Sequence, residues 1–293
     1  WIPIPFNSFD IINIANLPID PINKPPYYYT FVVGGSYEIT AFLEVENNRN
    51  INGLAGQDNG TSWNVYEVGS NKKLTPLYIE DGGGRDKSLV GYWPFDEGGG
   101  TIAYDYSGNN NHGTLYNGPQ WVDGKVGKAL SFDGVDDKVE VPDNPSLDIR
   151  KNLTIMAWVY PRTQLASIGD IVRKGRSYIL GWVDRGSDVF ACWIYDTAWR
   201  QFRFSKPYSY YIDKWWYFVL TYDGSYVKLY VNGILDREYN YVSTINISTY
   251  SLGIGWGSPE YSGEFFNGLI DEVRIYNRAL SDAEIKALYE TTK

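Results

Sequence analysis

The sequence contains very few of the residues that build the common nucleophilic and zinc-dependent sites. Among 293 residues there is one histidine, His112, and one cysteine, Cys192. Catalytic and zinc sites that combine several His or Cys side chains are therefore excluded by count. No disulfide can form within the chain either. The neighbours of the cysteine in sequence, Ala191 and Trp193, predict a buried thiol in a strand.

Positive charge and long apolar segments are also scarce. The chain has 26 Lys and Arg against 35 Asp and Glu, which gives a formal net charge of −9. Nucleic-acid binding requires clustered Lys and Arg, so it is not expected. No run approaches the roughly 20 apolar residues of a membrane span. Because the chain begins at Trp1 without a methionine or a signal peptide, we expect a processed product whose anchoring or targeting helix would lie upstream.

Aromatic and turn-forming residues dominate what is present. The 26 Tyr, 11 Trp, 30 Gly and 14 Pro predict a mostly β protein with few helices. The length suits two domains at about 150 residues each. Segment 80–88 contains three consecutive glycines, which hold no fixed conformation cheaply, between charged residues that favour water. We therefore predict a linker at 80–88 that separates a small domain, 1–79, from a larger one, 89–293.

The larger domain carries strand and helix signals in a fixed order. Its most distinctive segments are Leu89 to Glu97, Ala129 to Val141, Leu153 to Pro161, Trp215 to Gly233 and Asn267 to Ser281. The dipeptide Asn232-Gly233 between two alternating segments predicts a type I′ hairpin. A capping box of Ser281 and Glu284 predicts a C-terminal helix. The apolar stripe of that helix is predicted at Ala283, Ile285, Leu288 and Tyr289.

Taken in this order, these segments resemble the laminin-G-like, concanavalin A-like jelly-roll family over about two thirds of the chain. The resemblance implies an all-β protein, in which a small antiparallel β-domain precedes a jelly-roll β-sandwich with a short C-terminal helix. Glucanases with this fold carry their carboxylates in a Glu-x-Asp-x-Glu alternation along one strand, and no such alternation occurs here. The neighbours Asp271 and Glu272 are expected on opposite faces of their strand. We therefore expect no enzymatic activity.

Residues 15–76 resemble the C-terminal β-region of type IV pilins and type II secretion major pseudopilins. A Leu-Pro-x-Asp-Pro segment that begins at Leu17 precedes two aromatic segments, Tyr27 to Val33 and Tyr37 to Val45, that are predicted as a hairpin. The N-terminal helix that anchors that family and forms its filament core is missing. The loop around Asp58 falls where pseudopilins bind calcium, but it keeps only one acidic residue, so no ion is assigned there.

A polar loop of the larger domain offers oxygen atoms at alternate positions, Asp105, Ser107, Asn109 and Asn111. Calcium prefers six to eight oxygen ligands, including backbone carbonyls, and this loop predicts a structural Ca²⁺. The jelly-roll resemblance implies that Asp271 joins the same ion. The alternative is that these side chains only form Asx turns at the surface.

A second acidic cluster is formed by Asp133, Asp136 and Asp137. Relatives of the jelly-roll family bind ions in comparable loops. The turn-forming composition of this segment favours a hairpin turn over an ion site.

Carbohydrate binding uses exposed aromatic rings together with a few polar groups that fix the ligand. Candidates in loops and in the middle of the domain are Trp182, Tyr195, Trp199, Tyr210, Trp256 and Tyr261, with Tyr208 and Tyr211 beside them. The alternative for each ring is packing inside the sandwich. Four aromatic residues in strongly apolar segments are predicted as core, namely Trp93, Trp158, Trp215 and Phe218.

These expectations combine into an extracellular or cell-surface protein of a prokaryote. A pilin-like subunit displays a laminin-G-like module for adhesion or carbohydrate binding, with a glycan or cell-surface ligand and, if an N-terminal helix precedes it, other pilin subunits as partners. One alternative is a structural filament subunit whose sandwich has no specific ligand. Another is a carbohydrate-binding accessory domain of a secreted hydrolase.

Overall fold

A computed structural model describes residues 29–33, 37–42, 65–69, 86–162, 169–183, 188–260 and 263–293. The chain forms two compact units, Trp1–Asp86 and Lys87–Lys293. The residues that connect the two segments of the predicted hairpin lie outside the described residues, as do the loop around Asp58 and most of the predicted linker.

The described part of the first unit is a three-stranded antiparallel sheet. Its strands are β1 (Tyr29–Val33), β2 (Tyr37–Phe42) and β3 (Val65–Gly69), in the order β1-β2-β3. In the first pair Tyr29 lies opposite Ala41. The two aromatic segments predicted as a hairpin therefore pair as antiparallel strands.

The second unit is built almost entirely of strands. They are β4 (Leu89–Trp93), β5 (Ile102–Ala103), β6 (Gly113–Tyr116), β7 (Gln120–Asp123), β8 (Lys128–Asp133), β9 (Lys138–Val141), β10 (Leu153–Pro161), β11 (Val172–Lys174), β12 (Tyr178–Val183), β13 (Phe190–Tyr195), β14 (Trp199–Arg203), β15 (Trp216–Tyr222), β16 (Tyr226–Val231), β17 (Ile234–Asn240), β18 (Leu252–Ile254) and β19 (Asn267–Tyr276). Helix α1 (Asp282–Thr292) follows the last strand. Short 3₁₀ turns lie at Pro145–Leu147 and Tyr208–Tyr210.

These strands form two antiparallel sheets of eight strands each. Sheet A has the order β17-β16-β15-β10-β19-β8-β7, and β4 also pairs with β19. Sheet B has the order β14-β13-β12-β11-β18-β9-β6-β5. The first strand of the unit therefore pairs with the last, with Tyr92 opposite Arg274. The all-β sandwich predicted from the sequence is confirmed.

The main core lies between the two sheets, where alternate residues of each strand point inward. Sheet A contributes Leu130, Phe132, Ile155, Phe218, Leu229 and Ile275, and sheet B contributes Val139, Val172, Leu180, Cys192, Ile194 and Ile254. The prediction of a buried strand cysteine is confirmed. Burial raises the pKa of this thiol to about 12, which keeps it protonated and unreactive.

Helix α1 covers the outer face of sheet A. Its Ile285 and Leu288 join Met156, Trp158 and Tyr217 in a second apolar cluster. Because sheet A is thus covered on both faces, its central strand β10 is buried along almost its whole length instead of alternating. Among the described residues no helix is long and apolar enough to cross a membrane.

Local turn and cap chemistry follows the sequence signals closely. Asn232 and Gly233 have φ values of 52° and 73°, as a type I′ turn requires. The side chains and backbones of Ser281 and Glu284 form the complete capping box. The predicted helix stripe was wrong at Ala283, which is exposed because it lies in the first turn on the solvent side.

Three of the four aromatic residues predicted as core are buried, Trp93 and Phe218 between the sheets and Trp158 under α1. The Trp93 indole N–H donates to the carbonyl of Asn111 at 2.8 Å, so its polar atom is satisfied. The prediction was wrong in part for Trp215. This residue directly precedes β15, is only half-buried and packs against the second apolar cluster.

The Glu284 side chain of the helix cap should contribute to the free energy of unfolding at neutral pH and lose this contribution in acid. Although partial burial opposes its charge, hydrogen bonds from Arg278 and Ser281 lower the pKa of Glu284 to about 2. A depressed folded-state pKa stabilises the protein above the ordinary pKa near 4.5, and this stability is lost as the pH falls toward 2. In urea titrations, Glu284→Gln should be less stable than the wild type at pH 7, and the difference should narrow below pH 4.5 and vanish only below pH 2. Glu290→Gln in the last turn controls for charge, and a difference that stays constant with pH would contradict the assignment.

Candidate functional site

The Asp105 carboxylate organises the loop between β5 and β6. Its Oδ1 accepts hydrogen bonds from the backbone N–H groups of Tyr92 (2.9 Å) and Ser107 (2.8 Å). Its Oδ2 accepts from the hydroxyl of Ser107 (2.8 Å) and the N–H of Asn111 (2.9 Å). The backbone N–H of Asp105 donates to Nδ1 of His112, the single histidine, at 2.9 Å. Four hydrogen bonds occupy the lone pairs of this carboxylate, which is the arrangement expected of an Asx-type turn.

The two asparagines of this loop also hold it in place. The side-chain amide of Asn109 donates to the hydroxyl of Ser107 at 3.1 Å. The amide of Asn111 donates to the carbonyl of Val90 (2.8 Å) and to the hydroxyl of Ser146 (2.9 Å). The Oδ1 of Asn111 is buried and has no hydrogen-bond partner among the described residues. Within this loop, the unsatisfied oxygen belongs to Asn111 and not to Asp105.

Asp271 lies fully buried in β19 and has a different environment. Its Oδ2 accepts hydrogen bonds from the backbone N–H groups of Lys125 and Val126, both at 2.9 Å. Its Oδ1 is buried without a hydrogen-bond partner among the described residues. Burial raises the pKa of Asp271 well above its ordinary value, and the charges of Glu272 and Asp96 raise it further.

Asp96 approaches the same turn as Asp271, from the segment after β4. Its Oδ1 accepts from the N–H of Lys128 at 2.7 Å, and partial burial outweighs this bond and raises its pKa to about 6. A Cβ at Gly127 would lie 2.0 Å from that oxygen, and a Cβ at Gly124 would lie 2.7 Å from Oδ2 of Asp271. The β7–β8 turn thus fits between two carboxylates because it carries glycine at both positions. Such hard oxygen atoms are the ligands that calcium prefers.

The expectation that Asp271 and Glu272 point to opposite faces was wrong. Glu272 has a φ of 54°, and the pairing of β19 with β10 shifts register at this point. This bulge adds one residue to the strand, so both side chains avoid the core. Glu272 accepts from the Tyr92 hydroxyl at 3.0 Å and from Arg274 Nη2 at 2.5 Å. An ion pair with Arg274 therefore neutralises Glu272.

The structure does not join Asp105 to Asp271 through any hydrogen bond or ion pair in the part of the chain that it describes. Each carboxylate has its own set of partners on a different loop. A calcium ion shared by these two residues stays a prediction.

The acidic cluster of Asp133, Asp136 and Asp137 has carboxylate oxygens within 4.8 Å of one another. Oδ1 of Asp133 accepts from the N–H of Val135 at 2.8 Å and from that of Asp136 at 3.3 Å. Oδ2 of Asp137 accepts from the N–H of Asp133 at 2.9 Å. These bonds are those of a hairpin turn, as the composition indicated.

Three aromatic side chains share the outer face of sheet B. In β13, Cys192 and Ile194 point into the core, so Trp193 and Tyr195 point outward. Trp199 in β14 lies opposite Tyr195. The ring of Trp199 is 5.1 Å from that of Tyr195 and 6.4 Å from that of Trp193, edge to face in both pairs. All three rings are half-buried. We call the surface formed by Trp193, Tyr195 and Trp199 the aromatic face.

A chain of charged groups lies beneath this face. The guanidinium of Arg173 in β11 is 4.9 Å from the centroid of the Trp199 ring. Its Nη1 donates to Asp170 Oδ2 at 2.9 Å and to Glu264 Oε2 at 2.6 Å. Burial, opposed by Arg173 and reinforced by Glu264, raises the pKa of Asp170 to about 7. One cation therefore holds two carboxylates and the Trp199 ring together.

A second aromatic group lies farther along the outer face of sheet B. A Cβ at Gly253 of β18 would lie 3.2 Å from the Trp256 ring, so glycine makes room for the indole. The ammonium of Lys138 is 3.9 Å from the centroid of Trp256 and 5.0 Å from that of Tyr116, and it is paired with Glu140 at 3.0 Å. Trp256 is buried, and its indole N–H has no hydrogen-bond partner among the described residues.

The ring candidates from the sequence divide into three groups. Tyr195, Trp199 and Trp256 lie on the outer face of sheet B, and the backbone of Trp182 lies opposite Ala191 in the same sheet. Tyr210 lies elsewhere, in a 3₁₀ turn before β15, where it is 53% exposed and its ring is 5.6 Å from Trp216. Tyr208 and Tyr211 are buried in the core. The side chain of Trp182 and all of Tyr261 lie outside the described residues.

Sequence reasoning missed Trp193, Asp170, Arg173 and Glu264. The alternation of β13 was a usable signal for Trp193, because it places that ring on the same side as Tyr195. Arg173 also had a signal, because it is a charged residue that directly follows the apolar residues Ile171 and Val172. Its partner Glu264 is 91 positions away, and no local pattern connects them.

Comparisons with known proteins agree on the fold. The sequence model of a family described as the concanavalin A-like lectin/glucanases superfamily matches residues 133–286. A search of curated proteins found no significant match.

Similar solved structures include the binding domain of Paraclostridial mosquitocidal protein 1, with 20% identity over 69% of this chain and 52% of that one, at a TM-score of 0.56. Domain 4 of AbnA, an extracellular GH43 arabinanase from Geobacillus stearothermophilus, solved with arabinotriose, matches at 22% identity over 70% of this chain and 98% of that domain, with a TM-score of 0.56. The botulinum neurotoxin serotype D ligand-binding domain, solved with N-acetylneuraminic acid, matches at 17% identity over 70% of this chain and 51% of that one, at the same TM-score of 0.56. The chain thus spans about half the length of the toxin domains. At these identities the likeness shows the fold alone.

Proposed function

This chain belongs to the concanavalin A-like lectin/glucanases superfamily, and we propose that its larger unit is a carbohydrate-binding module and not an enzyme. The observation that carries the proposal is the aromatic face on the outside of sheet B. Its rings are half-buried, so each is fixed by packing and still presents a surface to solvent. Fixed rings bind with little loss of side-chain entropy, which favours recognition.

Polar groups beside the rings suit sugar hydroxyls. Gln201 lies opposite Trp193 on the same face, and Arg203 lies next to it on β14. The carboxylate of Glu264, which is 20% exposed, is an acceptor bonded to Arg173, whose guanidinium lies under the Trp199 ring. Aromatic surface combined with a few oriented polar groups is the usual composition of a ligand site. The solved structures with arabinotriose and with N-acetylneuraminic acid support a glycan as the ligand class.

The carboxylates near this face do not have the freedom that glycoside hydrolysis needs. A glycosidase uses one carboxyl group as the acid and another as the nucleophile or base, on either side of the scissile bond. Here Asp170 and Glu264 both bind the same nitrogen of Arg173. One oxygen of each carboxylate is bonded to the guanidinium, which favours a supporting role over catalysis.

The same proposal includes the cellular location of the protein and the role of its first unit. We place the protein outside the cell or at the cell surface, with the first unit as a pilin-like element that displays the module for adhesion. An accessory binding domain of a secreted hydrolase is the second candidate, favoured by the match to 98% of domain 4 of an extracellular arabinanase. A structural subunit without a specific ligand is the remaining alternative, and the binding experiment below distinguishes it.

A structural calcium ion belongs to this proposal at the turn between Asp96 and Asp271. Oδ1 of Asp271 is buried without a hydrogen-bond partner among the described residues, and Asp96 brings a second carboxylate to the same turn. Burial and the charges of neighbouring acidic groups raise the pKa values of both carboxyls, and a bound cation would favour their ionised forms. The ion would add a cross-link between β19 and the β7–β8 turn. It would have no part in ligand chemistry.

Removal of a ring from the aromatic face should weaken glycan binding. On a glycan array and then by calorimetry, Trp199→Ala should weaken binding to the best glycan at least about tenfold, or about 1.4 kcal/mol. Tyr210→Ala is the matched control, because that ring is exposed on another part of the unit. Binding that survives Trp199→Ala but is lost in Tyr210→Ala would place the site elsewhere. A wild-type protein that binds no glycan would leave the structural alternative.

Calcium should raise the melting temperature of the wild type, because a ligand that binds only the folded state stabilises it by mass action. Asp271→Asn keeps an acceptor for the N–H groups of Lys125 and Val126 but removes the charge, so the calcium-dependent increment should disappear. Asp105→Asn should lower the melting temperature equally with calcium and with EDTA, and should keep the increment. The opposite pattern, with the increment lost only in Asp105→Asn, would return the ion to the β5–β6 loop.

A further inference from the structure

The cluster of Asp170, Arg173 and Glu264 is ordered from the interior to the surface. The side chain of Asp170 is completely buried, that of Arg173 is 3% exposed and that of Glu264 is 20% exposed. Trp199 of the aromatic face packs over the guanidinium of Arg173. A ligand on the aromatic face would therefore meet the carboxylate of Glu264 before it met the cation beneath.

We infer that Glu264 is a specificity-determining residue that restricts the aromatic face to neutral glycans, which rests on the proposed carbohydrate-binding function. Its carboxylate occupies the position on Arg173 that the carboxylate of an acidic sugar would take. Arg173 Nη1 binds Glu264 at 2.6 Å, a length typical of a strong charge-assisted hydrogen bond. A uronic or sialic acid would have to displace this group or approach it as a like charge, and both are unfavourable.

A neutral sugar has no such conflict with Glu264. Its hydroxyl groups donate hydrogen bonds, and a carboxylate is an acceptor for such donors. A neighbouring ring of Trp199 offers an apolar surface for the C–H face of the same sugar. Glu264 would therefore accept hydrogen bonds from the sugar hydroxyls, and the Trp199 ring would stack on the C–H face of the sugar.

Other cations near the outer face of sheet B are matched in the same way. Lys138 is paired with Glu140 at 3.0 Å, and Arg176 is paired with Glu260 at 3.1 Å. Arg203 differs, because it donates to the neutral side chain of Gln201 at 2.7 Å and has no ion pair in the part of the chain that the structure describes. It is the competing anchor for an acidic sugar, and the experiment includes it for that reason.

The test compares matched neutral and acidic probes by calorimetry. The pairs are fully methyl-esterified and free oligogalacturonate, and lactose and 3′-sialyllactose, measured with the wild type, Glu264→Gln, Glu238→Gln and Arg203→Gln. Glu238 lies in the edge strand β17 of sheet A and controls for the same change in net charge. Melting temperatures verify that each variant is folded.

The wild type should bind the neutral member of a pair at least tenfold more tightly than the acidic member. Glu264→Gln should reduce this ratio at least fivefold, mainly by a gain of acidic binding, while Glu238→Gln leaves it unchanged. Arg203→Gln should weaken the binding of the neutral and the acidic member to a similar extent. A wild type that prefers the acidic member, or a ratio that Glu264→Gln does not change, would overturn the inference and leave the proposed function intact. Absence of binding to every neutral and acidic glycan would instead overturn the proposed function and this inference with it.

Discussion

The pairing of β19 with three other strands is the interaction on which the larger unit depends. This last strand bonds to β10, β8 and β4, so it closes the sandwich across almost the full length of the unit. Its inward residues, such as Ile270 and Ile275, complete the main core. The bulge at Glu272 lets the same strand carry Asp271 to the β7–β8 turn and Glu272 to Arg274. Core formation and the proposed calcium site are thus properties of one strand.

The outer faces of the two sheets differ. Sheet A is covered on its outer side by α1, and its buried aromatic residues stabilise the fold. Sheet B has no such helix among the described residues, and its outer side presents Trp193, Tyr195 and Trp199. The charged cluster around Arg173 then fixes the Trp199 ring from below.

Sequence reasoning reached the features that local chemistry determines. The Asn232-Gly233 turn and the Ser281 cap depend on neighbours within a few positions, and the structure confirms both. The bulge at Glu272 depends on how β10 and β19 meet, so alternation alone led to the wrong faces. Candidate rings were found by residue type, but the Arg173–Glu264 contact joins positions 91 apart, and only the fold brings them together. The carboxylate of Asp105, which the sequence suggested as a calcium ligand, accepts four hydrogen bonds from Tyr92, Ser107 and Asn111, and the ion at that loop stays a prediction.

The most direct test of the aromatic face is an NMR titration of protein carrying ¹⁵N-labelled tryptophan with a neutral oligosaccharide selected on the array. The indole resonances of Trp193 and Trp199 should shift with a common saturation curve. Those of Trp93, between the sheets, and Trp158, under α1, should not move. Saturable shifts at Trp158 with none at Trp199 would contradict a ligand site on sheet B.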